Sequence, residues 1–124
     1  MLPAREGPTW TSNLLTLYLG TIDAFLQYDN VLGEPVMRLR LANAYALTKG
    51  FNIGNEIVKD TASTVAAPFI KAAARDVKAY LKSKSSSALV GYSSTDGSGW
   101  RDPLADFLTC GSDDTSIDLW GLNN

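Results

Sequence analysis

The 124-residue sequence contains no histidine. That removes Ser-His and Cys-His nucleophile pairs and the usual His-based zinc sites, so any chemistry must come from carboxylates, amides, hydroxyls or tyrosines. Its single cysteine, Cys110, cannot close an intrachain disulfide and leaves the redox compartment open. Charge is also scarce: 11 basic against 13 acidic residues give a formal net charge of -2, which offers no electrostatic reason to expect nucleic acid or an anionic membrane as partner. No segment has the length of a membrane span. "MLPAREGPTW" has no apolar signal region, "DLWGLNN" has no anchor signal, and no Asn-x-Ser/Thr sequon occurs.

What is present is one modest core's worth of apolar residues, 45% of the chain. Thr11 to Tyr28 repeats apolar residues at spacings of three and four (Leu14, Leu17/Tyr18, Ile22, Phe25, Leu26) behind Ser12 or Asn13 as N-cap, which predicts an amphipathic helix. "VLG" at Val31 starts a strand-like run. Glu34 to Gly50 then has Pro35 in a first-turn position, helix formers and a Lys49-Gly50 stop, predicting helix over Pro35 to Lys49. Phe51 to Asn55 is strand-like. A helix follows from Pro68, with an apolar stripe of Phe69, Ala73, Val77 and Tyr80/Leu81 and a basic face of Lys71, Arg75, Lys78 and Lys82 expected to be solvated. Ala88 to Tyr92 reads as a strand, "WRDPLADFLTCG" as a short helix ended by Gly111, and "SIDLWGLN" as a third strand.

Doubly apolar strands separated by helices indicate an α/β fold with a parallel sheet covered by helices, either doubly wound or a (β/α)8 barrel. Three strands are too few to close a barrel of eight, which typically takes roughly 250 residues, so the chain reads as about half of a barrel or as a small self-contained α/β sandwich with two open sheet edges. In such sheets functional residues gather at the C-terminal strand ends. Asn55 and Glu56, then Tyr92 and Ser93, then Asn123 occupy those ends and are expected to share one rim.

Two readings of Glu56 stand side by side. It is a first-turn carboxylate with Asn55 as helix cap, or it is an acid whose neighbouring amide holds a sugar hydroxyl while the carboxyl protonates a glycosidic oxygen. Asp113-Asp114, between Gly, Ser and Thr, reads as a turn, and no metal or other cofactor is expected. Trp10, Trp100 and Trp120 read as core residues, with sugar stacking as the alternative.

Several blocks together resemble the catalytic domain of fungal 1,3-β-glucanosyltransferases, glycoside hydrolase family 72: "PTWTSNLLTLYLGTIDAFLQYDNVLG", "FNIGNEIV", "AAPFIKAAARDVKAYLKSKSSSALVGYSSTDG", "RDPLADFLTCG" and "SIDLWGLNN". The resemblance implies a partial (β/α)8 TIM barrel over 1–124, about three βα units from its middle, and a retaining mechanism on β-1,3-glucan donor and acceptor oligosaccharides. By the same resemblance Glu56 is the acid/base, Asn55, Tyr92 and Asn123 bind glucan, and the nucleophilic glutamate belongs to a later strand beyond Asn124.

The family implies a plasma-membrane location through a GPI anchor, for which this chain carries no signal, and a disulfide partner for Cys110. These departures point to a truncated gene product or partial gene model, expected to be inactive alone. The alternative is a non-catalytic glucan-binding or inert α/β fragment. Deleting Glu34 to Gly50 yields "DNVLGFNIGNEIV", one uninterrupted strand, so residues 34–50 read as a non-family helical insertion. Gly33-Glu34 can be encoded by GGTGAG and Lys49-Gly50 by AAGGG, which makes translated intron the favoured origin and a genuine helical excursion the other.

Overall fold

The computed structural model describes residues 10–26 and 50–123. Their order is helix α1 (Ser12–Leu26), strand β1 (Gly50–Asn55), a 3-10 turn (Ala62–Ala66) running into helix α2 (Ala67–Ser83), strand β2 (Leu89–Thr95), helix α3 (Arg101–Thr109) and strand β3 (Leu119–Asn123). The three strands form one parallel sheet in the order β1-β2-β3. The expected alternation of helix and strand is therefore present. The two predicted features between Tyr28 and Lys49, the strand start at Val31 and the helix over Pro35 to Lys49, lie outside the described residues.

The helices cover the sheet face that carries Ile53, Val90 and Tyr92, and these residues join Ile70, Ala74, Val77 and Leu81 of α2 and Leu104 and Leu108 of α3 in a single core. Strands feeding helices in the same direction need this cover because both faces of a parallel sheet are usually buried. The opposite face carries Gly50, Asn52, Gly91, Ser93 and Gly121, with Leu119 41% exposed.

Three local expectations change. Helix α1 is capped one residue earlier than predicted: the Leu14 N–H donates to Thr11 Oγ1 (3.2 Å) and the Leu15 N–H to Thr11 O (2.9 Å). Its buried stripe is Leu15 and Ile22, with Leu14, Tyr18, Leu19 and Leu26 packed beside them, while Leu17 and Phe25 are exposed. The basic face of α2 is not uniformly solvated. Lys71 is only 5% exposed, because its ammonium donates to the carbonyls of Phe107 and Cys110 at the end of α3 and lies 4.8 Å from the Phe107 ring centroid. A cation at a helix C-terminus satisfies carbonyls that have no intrahelical donor and complements the helix dipole.

Lys78 reaches Asp118 Oδ1 (2.6 Å) and Asp113 O (2.7 Å). The same aspartate accepts from the Val90 N–H through Oδ2 (2.9 Å), while its own N–H donates to Val90 O (2.7 Å). Asp118 thus pins the start of β3 to β2 and both to α2.

Candidate functional site

Strand β1 reaches the rim through a bulge. Asn52 stands opposite Gly91 and Asn55 opposite Ser93, so three steps of β1 match two of β2, and Ile53 and Gly54 together oppose Tyr92. Side chains alternate faces along a strand, so without the extra residue Asn52 and Asn55 would point to opposite sides. The bulge returns Asn55 to the face of Asn52, a way of re-aiming a side chain that is common next to active sites. Two hydrogen bonds mark that face: Asn52 Nδ2 donates to Ser93 Oγ (2.8 Å), and Asn123 Nδ2 donates to Asn55 Oδ1 (2.8 Å).

Glu56 follows immediately. Its backbone is left-handed, with φ at 51°, an uncommon conformation for a side chain of this size. The Glu56 N–H donates to Ser93 O (2.8 Å), and Glu56 Oε1 accepts from Asn123 Nδ2 (3.0 Å). Glu56 is therefore tied by its backbone to β2 and by its side chain to β3. Asn55 and Asn123 are solvent-exposed and Glu56 is partly so, which leaves the trio open at the C-terminal end of the sheet.

The reading of Glu56 as a first-turn carboxylate does not match this arrangement. The next helical turn begins at Ala62 behind Thr61, and the carboxylate that meets its first turn is Asp60, whose Oδ1 accepts from the Ser63 N–H (2.8 Å) and hydroxyl (2.8 Å). Those bonds, the backbone one first, hold the Asp60 carboxyl below the usual carboxylate range.

Tyr92 sits beneath the rim. Its ring is fully buried, 5.7 Å from Trp120, and its hydroxyl accepts from the Val58 N–H (3.1 Å), holding the chain just past Glu56. Burial pushes the phenol's pKa up, the Val58 and Ile57 N–H groups oppose this, and the Glu56 charge adds to it. The structure thus joins Asn55, Glu56 and Asn123 directly and sets Tyr92 below them. Ser93 is the residue whose weight sequence reasoning missed. Its carbonyl holds Glu56 and its hydroxyl holds Asn52, and its position at a strand end was the only available signal.

Among the tryptophans, Trp10 and Trp100 are buried, Trp10 donating to Asp76 Oδ2 (2.8 Å), and Trp120 packs partly buried on Tyr92. Cys110 is exposed at the end of α3, its Sγ 3.2 Å from Lys71 Nζ. Among the described residues, no group of three His, Cys, Asp or Glu is placed to hold a metal ion.

The glucanosyltransferase family model, glycoside hydrolase family 72, matches residues 39–124. The chain belongs to this family. Glycoside hydrolase family 72 relatives include the 1,3-beta-glucanosyltransferase gas1 of Schizosaccharomyces pombe, 39% identical over 97% of this chain. The 1,3-beta-glucanosyltransferase GAS2 of Saccharomyces cerevisiae is 34% identical over 96% of it. The crystal structure of ScGas2 in complex with compound 8 superposes with a TM-score of 0.74 at 33% identity, covering 97% of this chain and 24% of that one. The three parallel strands and their helices are thus part of a TIM barrel of the Gas2 kind. The chain spans 19% of the length of the fission-yeast relative and 18% of the budding-yeast one.

Proposed function

We propose that this chain carries the acid/base half of a retaining 1,3-β-glucanosyltransferase, with Glu56 as the acid/base. The observation behind the reading is the partly exposed carboxyl of Glu56 at the C-terminal end of β1, accepting from the Asn123 carboxamide of β3, which also donates to Asn55. In glycosyl transfer by this route a carboxyl group protonates the departing sugar oxygen and later deprotonates the incoming hydroxyl, while a second carboxylate about 5–5.5 Å away forms the glycosyl-enzyme. The family relatives are named for transfer of 1,3-β-glucan. That supports a β-1,3-glucan oligosaccharide as both donor and acceptor here.

Asn55 and Asn123 then contact donor or acceptor hydroxyls from the rim. Tyr92, buried on the helix-covered face, does not line the cleft and serves the site by holding Val58, just past Glu56, through its hydroxyl. By the resemblance the nucleophilic glutamate belongs to a later strand, so the 124-residue polypeptide by itself is proposed to transfer no glucan. The proposal extends to a cell-surface site of action, with attachment through a GPI anchor as the resemblance implies.

The polypeptide encoded by the whole gene, incubated with laminari-oligosaccharides, should give products longer than the donor, and Glu56→Gln should lower that rate by about 10²–10⁴-fold. A whole-gene product that makes no longer glucan, or a Glu56→Gln variant as fast as the parent, would sink the reading.

A further inference from the structure

Asn123 lies two strands from Glu56 in the sheet order, yet its amide nitrogen donates both to Asn55 Oδ1 and to Glu56 Oε1. A carboxylate oxygen accepts only, and the amide nitrogen donates only. The Oε1 lone pair that meets this N–H therefore cannot carry a proton in the same direction, since two donors would face each other. The amide's second proton, given to Asn55, fixes the orientation of the Asn123 carboxamide. Its position is set in turn by β3, whose residues Gly121, Leu122 and Asn123 stay in register with Ser93, Ser94 and Thr95.

We infer that Asn123 is a positioning residue for the acid/base: its amide holds Oε1 of Glu56 so that Oε2 is the oxygen that gives up and takes back the proton. This rests on the glucanosyltransferase reading above and adds a role for Asn123 apart from contact with sugar. In the first half-reaction the proton leaves Oε2 for the glycosidic oxygen, which keeps the electron pair of the breaking C1–O bond while the partner carboxylate bonds to C1. In the second, the acceptor hydroxyl gives its proton to Oε2 as its oxygen bonds to C1 and the carboxylate departs. Without the amide, the carboxyl of Glu56 turns about its side-chain bonds and presents either oxygen. The left-handed backbone at Glu56 aims the side chain but does not fix that rotation.

The test compares two donors in the whole-gene polypeptide: a laminari-oligosaccharide, whose sugar leaving group needs protonation, and the β-fluoride of the same oligosaccharide, whose leaving group needs little. The value of kcat/KM for each reports steps up to formation of the glycosyl-enzyme, and their ratio isolates the proton. In Asn123→Ala the ratio of oligosaccharide to fluoride should fall about 10- to 100-fold, in the same direction as in Glu56→Gln. Lost sugar contact alone lowers both values by one factor and leaves the ratio unchanged. Asn123→Asp, which keeps the size and replaces the donor by an acceptor, is read identically should Asn123→Ala not fold. An unchanged ratio in whichever variant folds overturns the inference while Glu56→Gln still upholds the functional reading. A Glu56→Gln ratio that does not move overturns both.

Discussion

Lys71 illustrates what a single residue can hide. On a helical wheel it belongs to a basic face with Arg75, Lys78 and Lys82, yet its ammonium is buried against the end of α3. Replacing it by methionine keeps the stem and removes the donor, leaving the carbonyls of Phe107 and Cys110 without it. Lys71→Met should cost about 1–3 kcal/mol in urea unfolding of the chain, and an unchanged midpoint would show that the clasp contributes nothing. Tyr92 carries a second residue-scale prediction. Its buried phenol has a raised pKa, as does that of Tyr18, so the unfolded chain loses these protons first as pH rises. Folding stability from these groups is fully present below about pH 10, the ordinary tyrosine value, and declines as pH climbs above it toward their folded pKa values. Unfolding midpoints between about pH 8 and 11.5 should fall only in the upper part of the range, and less steeply in Tyr92→Phe.

At the scale of elements, the bulge in β1 is what makes a site out of a strand end. It allows Asn55 to meet Asn123, and it sets Gly54 against the Tyr92 ring with so little room that an added Cβ would lie 3.1 Å from Tyr92 Cε2 and 2.5 Å from Ile57 Cδ1. The tip of Ile57 can swing away. The buried ring cannot, and its hydroxyl anchors Val58. Gly54→Ala should destabilise the chain by about 1–3 kcal/mol and disturb the turn at Glu56, visible as changed amide shifts for Glu56 and Val58 in NMR spectra. Shifts confined to residue 54 would count against the tight fit.

For the whole molecule, the helices bury one sheet face while the other displays glycine, amide and hydroxyl groups beside the exposed Leu119. That face suits the interior of a barrel whose other strands lie elsewhere, as the coverage of the solved relative indicates. The family match begins at residue 39, within the stretch 34–50 that we propose is a non-family insertion of intronic origin. Sequencing the transcript should reveal a dominant form in which codon 33 joins codon 51. A transcript population that always retains the segment would refute that origin.

The order of helices and strands, the parallel sheet and the candidacy of Glu56 were determined by the sequence alone, because hydrophobic period and punctuation are local properties and the family blocks run along the chain. Asn55, Tyr92 and Asn123 could be named from their places at strand ends. What each does there was decided only by tertiary structure. The bulge depends on register between β1 and β2, the Asn123 contact joins residues 67 and 68 positions away from it, and the burial of Lys71 depends on carbonyls 36 and 39 positions further along the chain. None of these has a local signature, since hydrogen-bond partners distant in sequence are chosen by how the layers pack.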